Sequence, residues 1–179
     1  MLHLALSAIP FLFAFLVLYG ALSDLSTFRI PNWVSYGLLL LFALHSFLTW
    51  LATPYMPSLG GFRLPPYAFN IAIALLVFVV SLAFWKMRMV GGGDVKYLTA
   101  TSLWMGPQLA APFIVLLTVL AIVLVLTLKI ISNWGFLVQG TRLPLFVKRL
   151  LSKLEVNQLP YGFPIGLAAL AMIPWVFKI

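Results

Sequence analysis

Residues 4–32 read LALSAIPFLFAFLVLYGALSDLSTFRIPN, and the reading of this stretch decides the fold. Its apolar part, residues 4–22, is 19 residues long, and a helix of about 20 residues crosses the hydrocarbon core of a bilayer. Ala21-Leu22-Ser23 looks like a small-residue signal cleavage site. No basic segment precedes the run, however, and it is longer than the usual core of a signal peptide, so it reads as a retained first helix. Apolar windows at residues 33–51, 68–85 and 109–131 repeat the pattern. Two weaker windows bring the expected count to six helices. Residues 95–105 are short and semi-polar, with Thr99, Thr101 and Ser102, which suits a half-inserted helix packed inside the bundle. Residues 159–177 are interrupted by Pro160, Gly162, Pro164, Gly166 and Pro174.

Composition agrees with this reading. The chain is 64% hydrophobic and 8% charged, against roughly half and a quarter in soluble domains. A core of ordinary size cannot hide that much apolar surface in 179 residues, so lipid must cover the rest. The expected fold is all-α: a single membrane-embedded domain over residues 1–179. The absence of cysteine excludes disulfide frameworks, zinc–thiolate sites and cysteine nucleophiles. Two histidines and three acids are too few for a metal cage, and no metal or other cofactor is expected.

Six helices place alternate connections on the same side. One side then collects nine basic residues, Arg29, Lys86, Arg88, Lys96, Lys129, Arg142, Lys148, Arg149 and Lys153; the other holds Arg63 and Lys178. The positive-inside rule assigns the nine to the cytoplasm and both termini to the outside. The net charge of +8 is thus a cytoplasmic-face charge facing anionic lipid, with no nucleic-acid binding expected. Residues 146–154 (FVKRLLSKL) have the pattern of an interfacial helix. His3 and His45 read as interfacial or packed polar residues, and the tryptophans at 33, 50, 85, 104, 134 and 175 as an aromatic belt at helix ends.

The three acids are Asp24, Asp94 and Glu155. A carboxylate near the hydrocarbon costs several kcal/mol, ~2.5–3.5 kcal/mol for Asp at a helix centre on insertion scales. Asp24 follows the first helix and Asp94 precedes the fourth, so two carboxylates 70 residues apart arrive at the same membrane depth. Taken alone, Asp24 could be an interfacial partner of Arg29, and Asp94 a helix N-cap. But an N-cap does not need the three glycines Gly91, Gly92 and Gly93 that precede Asp94. Glycines tolerate positive φ and leave room for another backbone to approach, as an extended peptide substrate would. Facing carboxylates cannot both ionise easily, so a pair retains one shared proton. Such a dyad can deprotonate a water for attack on a peptide carbonyl and protonate the leaving amine, the chemistry of an aspartyl peptidase. The competing readings are a small proton-coupled transporter with an Asp relay, which should show repeat symmetry or a polar pore lining, and a non-catalytic assembly partner of a secretion apparatus.

Three elements, in order, resemble the type IV prepilin peptidases, GxGD-type aspartyl peptidases. DLSTFRIPN at residues 24–32 resembles their D-x5-I-P-N stretch, GGGDVKYLTATSLWMG at 91–106 is similar to their G-x-G-D-x-K signature with its short helix, and LPYGFPI at 159–165 resembles their P-Y-G-x-x-I element. The resemblance spans nearly the whole chain. It implies an inner-membrane endopeptidase that removes short basic leaders from prepilins and pseudopilins at the cytoplasmic face, with Asp24 and Asp94 as the catalytic pair. It makes Gly91 and Gly93 the signature glycines and Lys96 the signature lysine. Pro31, Asn32, Gly92, Pro160, Tyr161 and Gly162 are then candidates for active-site support. Direct pairing of Lys96 with Asp94 is not expected, because residues two apart on a helix do not face each other, and Asn32 reads equally as a cap of the second helix. Larger family members carry a zinc-binding, cysteine-containing N-terminal extension associated with methylation; this chain has no cysteine and starts at the first core helix, so no methyltransferase activity is expected. The compact size looks most like the short peptidases of tight-adherence (Flp) pilus systems.

Overall fold

The first apolar stretch forms one helix, α1 (Leu2–Thr27), in the computed structural model, which describes residues 2–52, 58–59, 62–63, 67–135 and 160–177. Its buried side chains recur every fourth residue at Ile9, Phe13, Val17 and Ala21, and Asp24 continues the stripe three residues on. Its other faces expose Phe11, Phe15, Leu18 and Leu22. A helix apolar all round, with only one face covered by protein, is what a bilayer-embedded bundle requires.

α1 ends by side-chain capping. Phe28 adopts the left-handed conformation with φ 56°, at a cost of ~1–2 kcal/mol for a residue that carries a Cβ. The Phe28 N–H bonds to the Asp24 carbonyl at 2.8 Å. The Thr27 hydroxyl donates to the carbonyls of Ser23 (2.8 Å) and Arg29 (3.1 Å), and the Ser23 hydroxyl also reaches Arg29 O, at 3.0 Å. Pro31 then leads into α2 (Asn32–Ala52), its carbonyl accepting the Val34 N–H. A two-residue antiparallel ladder, β1 (Ser58–Leu59) with β2 (Phe62–Arg63), precedes α3 (Tyr67–Lys86). The remaining elements are α4 (Gly92–Gly135), α5 (Gly162–Ala171) and α6 (Ile173–Phe177). The structure is all-α apart from that ladder.

Six spans are expected from the sequence. Four helices among the described residues are long and apolar enough to cross a membrane, over Leu6–Thr27, Asn32–Leu51, Tyr67–Lys86 and Gly92–Ile130. The windows 95–105 and 109–131 fall on the two parts of α4, which are divided at Gly106, where the backbone leaves the helical path (φ 59°, ψ −174°). The last window divides at Met172 into α5 and α6. The break in α4 has a physical cause. Pro107 has no N–H to offer Leu103 O four residues back, and the Asn70 side chain of α3 donates to that carbonyl instead, at 3.0 Å. A Cβ on Gly106 would lie 3.0 Å from Asn70 Oδ1, so the bond requires glycine there.

α3 packs along α4, and α5 packs against both α1 and α4, with α2 covering the same two helices. The first part of α4 is the buried part. Thr101 and Ser102 are enclosed there, with hydroxyls returned to the carbonyls of Tyr97, Leu98 and Thr99. Among the tryptophans whose side chains are described, which leaves out Trp134, one departs from the expected belt. Trp33, Trp50, Trp85 and Trp175 are exposed, but Trp104 is buried, its Nε1 donating to Leu38 O at 3.2 Å. Phe13, Phe42, His45 and Phe177 surround its ring with centroids 4.8–5.6 Å away. His45 is thus a packed residue. The side chain of His3, residues 146–154, Glu155, Leu159 and Lys178 lie outside the described residues.

Replacing Asn70 with Leu leaves the Leu103 carbonyl without a donor in an apolar interior, a loss of about 1–3 kcal/mol. We expect Asn70→Leu and Gly106→Ala each to lower the thermal midpoint in detergent. Their effects should be less than additive, because both remove one bond.

Candidate active site

Asp24 lies on the last turn of α1 and Asp94 on the first turn of α4. Both are buried, at 4% and 9% exposure. The groups around them fix their relation. The Gly91 N–H donates to Asp94 Oδ2 at 3.3 Å, and the Gly162 N–H, opening α5, also bonds to the Asp94 carboxyl. On its other side Gly162 touches Asp24: a Cβ built there would sit 2.9 Å from both Cβ and Cγ of Asp24. One glycine therefore contacts both acids, and the charge of Asp24 is felt at Asp94. Only a residue without a side chain fits at that position beside Asp24.

Ile30, of the IPN turn, closes the same spot. Its Cδ1 lies 2.5 Å from the Cβ position of Gly162, and its backbone carbonyl 3.7 Å from that of Gly93. The turn between α1 and α2 is in this way wedged between the starts of α4 and α5. This gives the glycine run a different use from the one expected. Among the described residues Gly106 is the one glycine with positive φ, so Gly91, Gly92 and Gly93 are not needed for left-handed backbone. The backbone that approaches Gly93 is that of Ile30, and Gly91 clears the Asp94 carboxylate, whose Oδ2 is 3.0 Å from its Cβ position.

The supporting candidates divide into two groups. Pro160 is fully buried beside the pair and Tyr161 is half-buried, its phenol held above the ordinary value by burial and then by the charge of Asp94. Lys96 and Asn32 come together with each other: Lys96 Nζ donates to Asn32 Oδ1 at 3.1 Å, which fastens the start of α2 to the first turn of α4. Pro31 sits in the same turn, half-buried. No group of three or more His, Asp or Glu side chains among the described residues could hold a metal ion.

Tyr97, Gly20 and Gly166 were not singled out in the sequence, yet they pack directly beneath the pair. The Tyr97 hydroxyl donates to Val17 O at 2.7 Å, within electrostatic reach of Asp24, and its ring fills the space that Gly20 leaves open. The available signal was periodicity: Tyr97 lies three residues after Asp94, on the same helix face.

Comparison with known proteins bears on most of this region. The family model described as the type IV leader peptidase family matches residues 11–128, which carry both aspartates. No curated protein and no solved structure matches. The Pro160–Gly162 element lies beyond the matched residues, so the contact of Gly162 with both acids comes from the three-dimensional structure and not from the match.

The glycines are separable by experiment. Gly162→Ala forces a methyl against Asp24 and Ile30 and should cost about 1–3 kcal/mol, read as a lower melting temperature in detergent. Gly92→Ala meets Trp85 Nε1 at 3.4 Å, an ordinary contact, and should be near neutral.

Proposed function

The chain belongs to the type IV leader peptidase family, and from that premise we propose that Asp24 and Asp94 are the catalytic dyad of an aspartyl endopeptidase. It cleaves the basic leader from prepilin-like proteins at the cytoplasmic face of the inner membrane. The observation that carries this reading is the convergence of both acids on Gly162: two buried aspartates 70 residues apart in sequence, each in contact with the same glycine. Two acids kept together in a chain with three are hard to explain as topology or capping.

The chemistry follows from the arrangement. A water held between the carboxyl groups gives its proton to the ionised member as its oxygen attacks the scissile carbonyl, while the protonated member supports the developing oxyanion. Collapse of the tetrahedral adduct breaks the C–N bond, and a carboxyl proton passes to the leaving amine. The products are the freed leader with a new carboxyl terminus and the mature chain with a new amino terminus. The amides of Gly91 and Gly162 hold Asp94 in place through the cycle.

Depth supports the cytoplasmic assignment. Asp24 is three residues from the end of α1 and Asp94 is the third residue of α4, so each lies within about one helical turn, ~5.4 Å, of its helix end. The basic residues Arg29, Lys86, Arg88 and Lys96 flank that level, which marks it as the inside face. In this topology the two parts of α4 on either side of Gly106 are separate crossings, α5 with α6 supplies the sixth, and both termini face outward. The basic face also favours anionic lipid around the site.

Asp24→Asn and Asp94→Asn, each co-expressed with a prepilin, should abolish leader removal, followed by gel shift and N-terminal sequencing, while the peptidase level in membranes stays the same. Processing by both single variants would overturn the dyad. A proton flux in liposomes that persists without peptide cleavage would favour a transporter instead.

A further inference from the structure

Tyr97 is the largest fully buried side chain among the described residues, and the dyad chemistry makes no use of its hydroxyl. A buried phenol requires a partner, and this one finds Val17 O of α1 at 2.7 Å. The same side chain occupies the space of two missing side chains. A Cβ on Gly20 would lie 2.9 Å from Tyr97 Cε2, and one on Gly166 would lie 3.0 Å from its Oη. Tyr97 therefore touches all three helices that carry the site: its own α4, α1 through Val17 and Gly20, and α5 through Gly166.

The spacing to the site is nearly the same along each helix. Asp94 is three residues before Tyr97, Asp24 four residues after Gly20, and Gly162 four residues before Gly166. At ~1.5 Å per residue, the two acids and Gly162 lie about 4.5–6 Å nearer the membrane surface than these contacts. One side chain thus indexes three helices to a common level. A slip of one residue in any of them moves its group by ~1.5 Å and turns it by ~100°, and misplacement of about 1 Å can cost up to ~100-fold in rate.

We propose that Tyr97 is a positioning residue: its hydroxyl on Val17 and Gly166 and its ring on Gly20 set the depth at which α1 and α5 meet α4, and thereby bring Asp24 and Asp94 to one level. The inference rests on the dyad reading above. Tyr97 touches no substrate. It acts through the registration of the helices.

The test compares wild type, Tyr97→Phe, Gly20→Ala, the double variant and Asp24→Asn as monodisperse enzymes in detergent, with kcat and KM measured on a leader-bearing substrate. Tyr97→Phe keeps the ring on Gly20 and loses the hydroxyl that bonds Val17 O and lies against Gly166. It should lower kcat about tenfold with KM within about twofold. Gly20→Ala keeps the hydroxyl and improves helix propensity in α1, but drives a methyl into the ring, so it should lower kcat to a similar extent. The double variant should be no worse than the poorer single one. A wild-type kcat for Tyr97→Phe, or losses that multiply in the double variant, would overturn the proposal. If Tyr97→Phe yields no folded protein, Gly20→Ala decides: a tenfold loss of kcat supports the role and a wild-type kcat overturns it. Cleavage retained by Asp24→Asn would remove the dyad reading itself, an outcome distinct from any result at Tyr97.

Discussion

Two carboxyl groups buried on neighbouring helices inside a membrane bundle must find their polar partners within the protein, because lipid offers none. Most of the architecture follows from that requirement. Asp94 is served by the amides of Gly91 and Gly162, both at helix starts where backbone N–H groups have no helical acceptor. The same glycine presses on Asp24. A side chain at either glycine would remove a donor geometry or separate the pair, so glycine is needed for space and donor access at once.

Delivering Asp24 to this place requires α1 to end abruptly and turn back. The turn holds strain, with Phe28 left-handed, and hydroxyls of Ser23 and Thr27 hold it closed on Arg29 O. The end of α3 has the same character: Arg88 is left-handed at φ 60°, three residues before the glycine run, and N–H groups of residues 87–89 fold back onto α3 carbonyls. Non-glycine residues in this conformation cost ~1–2 kcal/mol each and persist where surrounding bonds over-determine the backbone. Both precede an acid-bearing or acid-contacting segment, so the strain is concentrated where α1 and α4 must be brought into line. The Lys96–Asn32 bond adds a third fastening, from α4 to the start of α2. It also explains why a lysine two residues from Asp94 has no need to pair with it: the two point in different directions from the helix, and the ammonium has a partner across the turn.

Much of this was legible in the sequence, for reasons tied to particular residues. Asp24 and Asp94 stood out because a chain with so few acids places two of them beside helix ends, and the helices themselves were visible as apolar runs of spanning length. What escaped was tertiary. Gly162 stands out within the Pro160-Tyr161-Gly162 element, but nothing local shows that it contacts acids 138 and 68 residues upstream. Trp104 shares the pattern of belt tryptophans, and only the closing of Phe13, Phe42, His45 and Phe177 around it makes it core. The break at Gly106 falls between the windows 95–105 and 109–131, where the sequence pattern expects it, whereas the break at Met172 divides a window expected to form one helix. Pro107 signalled the first break; the Asn70 amide that stabilises it lies 37 residues away.

The functional consequence lies in where rigidity is placed. Both acids sit on helices, the glycine that contacts them opens a third, and a buried aromatic residue touches all three a turn deeper. A site on loops could close around a substrate, but it would have to order itself in a medium that leaves loose backbone unsatisfied. A site on packed helices keeps its catalytic geometry before substrate arrives. Opening it to a peptide then has to come from the exposed approach rather than from the acids. Gly91 and Gly92 are exposed beside the buried Asp94, and half-buried Tyr161 borders the same carboxylate. An extended chain reaching the acids along that edge would pass the exposed backbone of Gly91 and Gly92, whose missing side chains leave room for its main chain.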